Sequence, residues 1–194
     1  MGSTKETEYY KKKKTTCYEE ADEIKKAEFK EEIEKLKKEK LVYVDESGIN
    51  RILQREYAYS ERGVRVHGKV KGKREKRISC IAAYKNKKLL APMRFEGYTE
   101  SNLFNQWLRE SLIPELERGD TVILDNASFH KSPETRRLIE EAGCKLIYLP
   151  PYSPDLNPIE KIWSRLKKII QYARQTFDDI SSSIDYAFNV LSLA

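Results

Sequence analysis

Apolar residues in this chain fall into short runs and helix-spaced stripes, and their order predicts a series of elements. Leu41-Val42-Tyr43-Val44 and Thr121-Val122-Ile123-Leu124 are near-continuous apolar runs of strand length, the pattern of strands covered on both faces. Between them the pattern predicts strands near 55–60 and 64–70 and at 76–84 and 87–96, then a helix over 100–116. The second run lies in a strand over 120–125. A helix over 133–142, a strand over 145–149 and helices over 158–171 and 177–192 follow. Ile159, Ile162, Trp163, Leu166, Ile169 and Ile170 form the buried stripe of the first of these last two helices. Antiparallel-looking strands followed by alternating helix and strand imply an α/β fold, a mixed sheet with helices on both faces.

The first 40 residues differ. Lys11-Lys12-Lys13-Lys14 is a basic cluster, and 18–39 is charged and free of Gly and Pro. Ile24, Phe29, Ile33 and Leu36 give it a thin stripe, so the expectation is a helical extension over 1–40 packing on a domain over 41–194, or on a missing neighbour. The chain has 194 residues, enough for one medium domain. A net charge of +6 suggests a polyanionic partner. Cys17, Cys80 and Cys144 are scattered and odd in number, which suggests neither a disulfide framework nor a thiolate metal site. No apolar run approaches a membrane span or the core of a secretory signal, so no membrane partner is expected and the expected location is the cytoplasm.

Candidate chemistry lies in three carboxylates. Asp45 and Asp125 each end an apolar run, and Glu160 follows the turn-rich stretch Leu149-Pro150-Pro151-Tyr152-Ser153-Pro154-Asp155-Leu156-Asn157-Pro158. Each also has a structural explanation. Asp125-Asn126 and Asp45-Glu46-Ser47-Gly48 are plausible strand stops, and Asn157-Pro158-Ile159-Glu160 reads as a capping box with Asn157 as N-cap. Jointly, two strand ends and a helix start could gather carboxylates around hard divalent cations. Glu160, Ser164, Lys167, Lys168 and Gln171 share a helix face, which suits a metal at one end and a DNA backbone beyond it. Arg65, Lys69, Lys71, Lys73 and Arg74 mark a Gly- and Lys-rich hairpin, read equally as a second phosphate-contacting candidate or as a solvated turn. Glu46 points away from Asp45 on an alternating strand and is left outside the site. Asp155 is read as a turn former, and Trp107 and Trp163 as core packing.

Val42-Tyr43-Val44-Asp45-Glu46-Ser47-Gly48, Val122-Ile123-Leu124-Asp125-Asn126-Ala127-Ser128-Phe129-His130 and Tyr148 through Glu160 resemble the DDE transposases of the mariner superfamily, most nearly their bacterial insertion-sequence branch. The 34 residues between Asp125 and Glu160 match that family's spacing, and the likeness spans roughly 40–172. The resemblance implies a ribonuclease H-like fold with Asp45, Asp125 and Glu160 as catalytic, metal-binding residues. Asp45, on the innermost strand, would bridge two ions. Mg²⁺ is the implied cofactor, with Mn²⁺ as a substitute. The implied reaction is hydrolysis at the ends of an element, then attack of the freed 3′-hydroxyl on target DNA. Transposon ends and target DNA are the implied partners, and a homodimer the implied active assembly. Asn126 and His130 resemble an Asp-Asn-x-x-x-His stretch, in which His130 would touch a phosphate, orient a metal-bound water, or simply bond to backbone.

Residues 1–40 resemble no helix-turn-helix module of the kind full-length relatives carry, so the expectation is a catalytic half, whether excised, split or decayed. Two other readings stay open: a non-catalytic, DNA-binding regulator, and a different ribonuclease H-like nuclease.

Overall fold

The computed structural model describes residues 22–49, 65 and 77–192. The expected strands near 55–60 and 64–70, and Lys69, Lys71, Lys73 and Arg74, lie outside them, while Arg65 is exposed.

Five strands form one sheet: β1 (Leu41–Ile49), β2 (Ile78–Lys85), β3 (Lys88–Glu96), β4 (Thr121–Leu124) and β5 (Lys145–Tyr148). Their order across the sheet is β3-β2-β1-β4-β5. β2 is antiparallel to both β1 and β3, whereas β1, β4 and β5 run parallel. The α-helices among the described residues are α1 (Glu23–Glu34), α2 (Ser101–Trp107), α3 (Pro133–Glu141), α4 (Ile159–Ala173) and α5 (Ile180–Ser192).

Strand alternation decides what each face carries. Val42 and Val44 of β1 and Val122 and Leu124 of β4 pack with Phe104, Trp107, Leu108 and Ile139 from the α2 and α3 side. Leu41 of β1 and Ile123 of β4 pack on the opposite face with Phe29 of α1. Ile49 joins that face further along, against the α4 stripe and against Ile184 and Phe188 of α5. The sheet is therefore mixed and covered on both faces, as its strand pattern predicts.

Two helices depart from expectation. α1 is shorter than 18–39: Asp22 caps it, its carboxylate accepting from the amides of Ile24 and Lys25. Phe29 is buried while Ile24 is 73% exposed, so only the Phe29–Ile33–Leu36 part of the stripe docks on the domain. The helix expected over 100–116 is α-helical only to Trp107, continuing as a π turn over Leu108–Leu112 and a 3₁₀ turn over Ile113–Glu115. Pro114 explains the change, since it has no N–H and its ring crowds the carbonyl four residues back. Among the described residues, no helix is long and apolar enough to cross a membrane.

Candidate active site

The parallel pairing of β1 and β4 ends on the row Tyr43–Ile123. Two residues beyond that row stand Asp45, midway along β1, and Asp125, just past β4, on the same face by alternation and at the edge where the parallel pairing stops. Pro150 to Asn157 loops back over that edge, and α4 then begins at Ile159 with Glu160 in its first turn. Asp45, Asp125 and Glu160 all line one cleft of about 600 Å³, together with Asn126, Lys131 and Tyr152.

Asp45 is 9% exposed, and its Oδ2 accepts the indole N–H of Trp163 at 3.1 Å. Burial, then the charges of Glu46 and Glu160, push its carboxyl up to about 7, against the hydrogen bonds from the Glu46 amide and Trp163. A buried carboxylate near two others is a group that a cation would relieve.

Asp125 is balanced differently. Its Oδ1 accepts from the Ala127 amide at 2.9 Å and lies 2.6 Å from His130 Nδ1. Burial pushes its carboxyl up, but the hydrogen bonds from His130 and Ala127 and the charges of His130 and Lys131 outweigh that and hold it below the usual range. No described residue donates to its Oδ2.

Glu160 is exposed, and the expected capping box does not form. Helix α4 is capped at Pro158, in helical conformation and without a side-chain hydrogen bond. Asn157 Oδ1 is buried with no partner among the described residues, and only its carbonyl receives the Glu160 amide, at 3.3 Å. Pro158 lies inside the helical turn, which moves the helix start one residue on and leaves Asn157 as the end of the preceding 3₁₀ turn. The Glu160 carboxylate therefore has no capping duty and faces the cleft.

His130 is fully buried, so it cannot touch a phosphate, and its bonds are not to backbone alone. Its Nε2 lies 3.1 Å from Glu46 Oε1, the residue the sequence reading left outside the site. Glu46 does project from the face opposite Asp45, but His130 reaches it there. Flanked by two carboxylates, both ring nitrogens can donate. Burial pulls the imidazole down, yet hydrogen bonds with Asp125 and Glu46 raise it to about 9. Asn126 Nδ2 donates to the Leu149 carbonyl, tying the exits of β4 and β5 together.

Trp107 packs as expected, its indole N–H bound to the Ala91 carbonyl at 2.8 Å. Trp163 is equally buried but is also a partner of Asp45, a role hinted at only by the need of a buried indole N–H for an acceptor. Asp155 sits in the 3₁₀ turn Pro154–Leu156 and pairs with Lys26 of α1 at 3.2 Å. Lys167 and Lys168 are exposed on α4, as are Lys161 and Arg165, which the sequence reading passed over.

The donor set is all-oxygen and acidic. Among the described residues no group of three or more His, Cys, Asp or Glu side chains is drawn together closely enough to hold a metal ion as it stands. An open set of carboxylates fits a hard divalent cation that keeps several waters, rather than zinc or a soft metal.

Residues 40–183 match the family described as DDE superfamily endonuclease. The chain is 38% identical to the Tc3 transposase of Caenorhabditis elegans over 58 residues, 30% of this chain and 18% of that one. It is 31% identical to the Tc1 transposase of the same organism over 99 residues, 51% of this chain and 34% of that one. Its fold is similar to that of the Mos1 mariner paired-end complex with Mn: TM-score 0.65 at 15% identity, covering 97% of this chain and 61% of that chain. The chain thus spans less than two thirds of each of these relatives. The fold likeness identifies the mixed sheet as ribonuclease H-like.

Proposed function

The chain belongs to the DDE superfamily endonucleases, and from that membership we propose that it is the catalytic part of a transposase, cleaving DNA at element ends and joining the freed 3′-hydroxyl to target DNA. One observation carries this reading: the three acids of the family-like motifs, separated in sequence, line one cleft at one sheet edge. Mg²⁺, or Mn²⁺ in its place, would be held by Asp45, Asp125 and Glu160 and would activate the attacking oxygen and neutralise charge on the leaving one.

The chain's own residues prepare that chemistry. Trp163 holds one oxygen of Asp45, and His130 and Ala127 hold one oxygen of Asp125. Lys131 at the cleft and Lys167 and Lys168 on α4 supply positive charge for the DNA backbone, with Arg65 a further contact. Asn126 holds the cleft wall through Leu149. The proposal includes residues 41–194 as the catalytic domain, although α1 from Glu23 onward already packs on it. It also includes a bacterial insertion-sequence origin, a homodimer in the active complex, and residence on the nucleoid.

The test is nicking of duplex DNA carrying a candidate element end, with Mg²⁺ or Mn²⁺ and with EDTA. The expected result is a 3′-hydroxyl product that requires the ion and disappears in Asp125→Asn. Cleavage that persists in EDTA, or at wild-type rate in Asp125→Asn, overturns the reading.

A further inference from the structure

Glu46 and His130 do not line the cleft, yet both are tied to an acid that does. The link runs Glu46 Oε1 to His130 Nε2 at 3.1 Å, then His130 Nδ1 to Asp125 Oδ1 at 2.6 Å. The imidazole is completely buried, with the Phe104 and Phe129 ring centroids 4.4 and 4.3 Å from its own. Its backbone is held as well: the His130 amide donates to the Ala127 carbonyl at 3.1 Å, and Tyr148 Oη donates to the His130 carbonyl at 3.1 Å. A ring fixed on four sides can transmit position.

We propose that Glu46 and His130 are a positioning pair for Asp125, setting which of its oxygens faces the cleft and thereby the affinity of the acid cluster for a divalent cation. The inference rests on the metal-binding reading above. Three observations carry it. A free Asp carboxylate turns readily about its last bond, and the short bond to His130 stops that turn at Oδ1, leaving Oδ2 for the cleft. Glu46 directly follows Asp45 midway along β1, so the pair also ties the residues just past β4 to the part of β1 that carries the other aspartate. Finally, Glu46 projects onto the apolar α2 and α3 face with its side chain only 15% exposed. A carboxylate there is costly to bury, and the His130 nitrogen is the partner that compensates it. Outer partners of metal ligands act in this manner in general, fixing ligand orientation from behind.

The test uses the whole chain and Mn²⁺, with binding read from loss of the free-ion electron paramagnetic resonance signal and folding from thermal melting. The variants are Glu46→Gln, whose amide still hydrogen-bonds Nε2, and Glu46→Ala, which leaves Nε2 unpartnered. Glu46→Gln should bind Mn²⁺ within about threefold of wild type, and Glu46→Ala should bind it at least about tenfold more weakly. The chain holds two histidines, so with ¹⁵N-labelled imidazoles the His130 Nδ1 signal can be assigned by substitution, and it should shift when Mg²⁺ is added. If Glu46→Ala does not fold, Glu46→Asp, which withdraws the carboxylate by one methylene, is read against the same thresholds. Wild-type affinity in the alanine variant, equal losses in both variants, or a His130 signal indifferent to Mg²⁺ while the ion binds each overturns this inference and leaves the metal reading standing. Absence of Mn²⁺ binding by the wild type overturns both.

Discussion

Asp120 and Asp125 bracket the same four-residue strand, β4, and the two ends of that strand treat an aspartate in opposite ways. Asp120 is fully buried. Its Oδ2 accepts from Lys85 Nζ at 2.8 Å and from the Glu117 amide at 2.9 Å, and Lys40 Nζ stands 3.5 Å from its Oδ1. That last distance is an ion pair rather than a hydrogen bond, consistent with Oδ1 having no hydrogen-bond partner among the described residues. Two lysines thus face one buried aspartate. At the other end, Asp125 shares its surroundings with Asp45, Glu46 and Glu160, against His130 and Lys131. Negative charge is in excess there and is partly open to solvent, the side chain of Asp125 being 43% exposed. An acid at a strand end is therefore not in itself a site. The distinguishing property is whether the fold balances the charge around it or gathers more acids than bases there.

The strongest way to break this contrast is to remove charge at each end and compare what is lost. Asp125→Asn, Asp45→Asn and Glu160→Gln should each cut DNA strand cleavage to below roughly 1% of wild type, since losing even an outer partner of a metal ligand costs about 10–100-fold. Glu160 caps nothing, so Glu160→Gln should melt at the wild-type temperature. A normal cleavage rate in any of the three removes that residue from the site.

At the compensated end the loss should be of stability. Asp120→Ala leaves Lys85, whose side chain is 9% exposed, without its main partner. Breaking such a pair costs about 3–5 kcal/mol, which for a chain of this size lowers Tm by roughly 10 °C. Cleavage per folded molecule should not change. A melting temperature within about 2 °C of wild type would show that the pair contributes little.

A third comparison has the opposite sign. In EDTA, Asp45→Asn should stabilise the protein while abolishing activity. With its carboxyl raised to about 7 in the folded chain, Asp45 favours folding at low pH and loses that contribution as pH rises through 7. At pH 8 both states are ionised and the burial cost is fully present, so the variant should gain on the order of 1–3 kcal/mol. The gain should shrink below pH 4, where the carboxyl is protonated in both states. Thermal melts across this range check it, and a variant less stable than wild type at pH 8 contradicts it.

The smallest effect belongs to the exposed cations beyond the acidic cluster. Charge reversal at Lys167 and Lys168 should flatten the slope of log affinity against log salt by about 0.9 per lost phosphate contact, equally for end and scrambled duplexes. A salt titration giving unchanged slopes would move the DNA path elsewhere, with Lys161 and Arg165 as the next residues to substitute.

Much of this was legible in the chain itself. Short apolar runs set the strands of the described region to within a few residues, because covered strands need continuous apolar sequence. The period of two put Glu46 on the face opposite Asp45, but that Asp45 and Asp125 share a face took the register of β1 against β4, in which each stands two residues beyond the row Tyr43–Ile123. The stripe of α4 was equally plain, and Glu160 followed from the motif around it. Local chemistry misled where tertiary context intervened. Asn157-Pro158-Ile159-Glu160 has the residues of a capping box, but the preceding 3₁₀ turn claims Asn157 and the helix begins one residue later.

What the sequence determined by itself was therefore the order of elements, the opposite faces of Asp45 and Glu46, and the family. Only the tertiary structure decided the partners of those acids. Glu46 meets His130 across 84 residues, Trp163 reaches Asp45 across 118, and Lys85 reaches Asp120 across 35. Periodicity is a local property, read from neighbours in the chain, whereas the compensation of a buried charge depends on whatever the fold brings within about 4 Å of it.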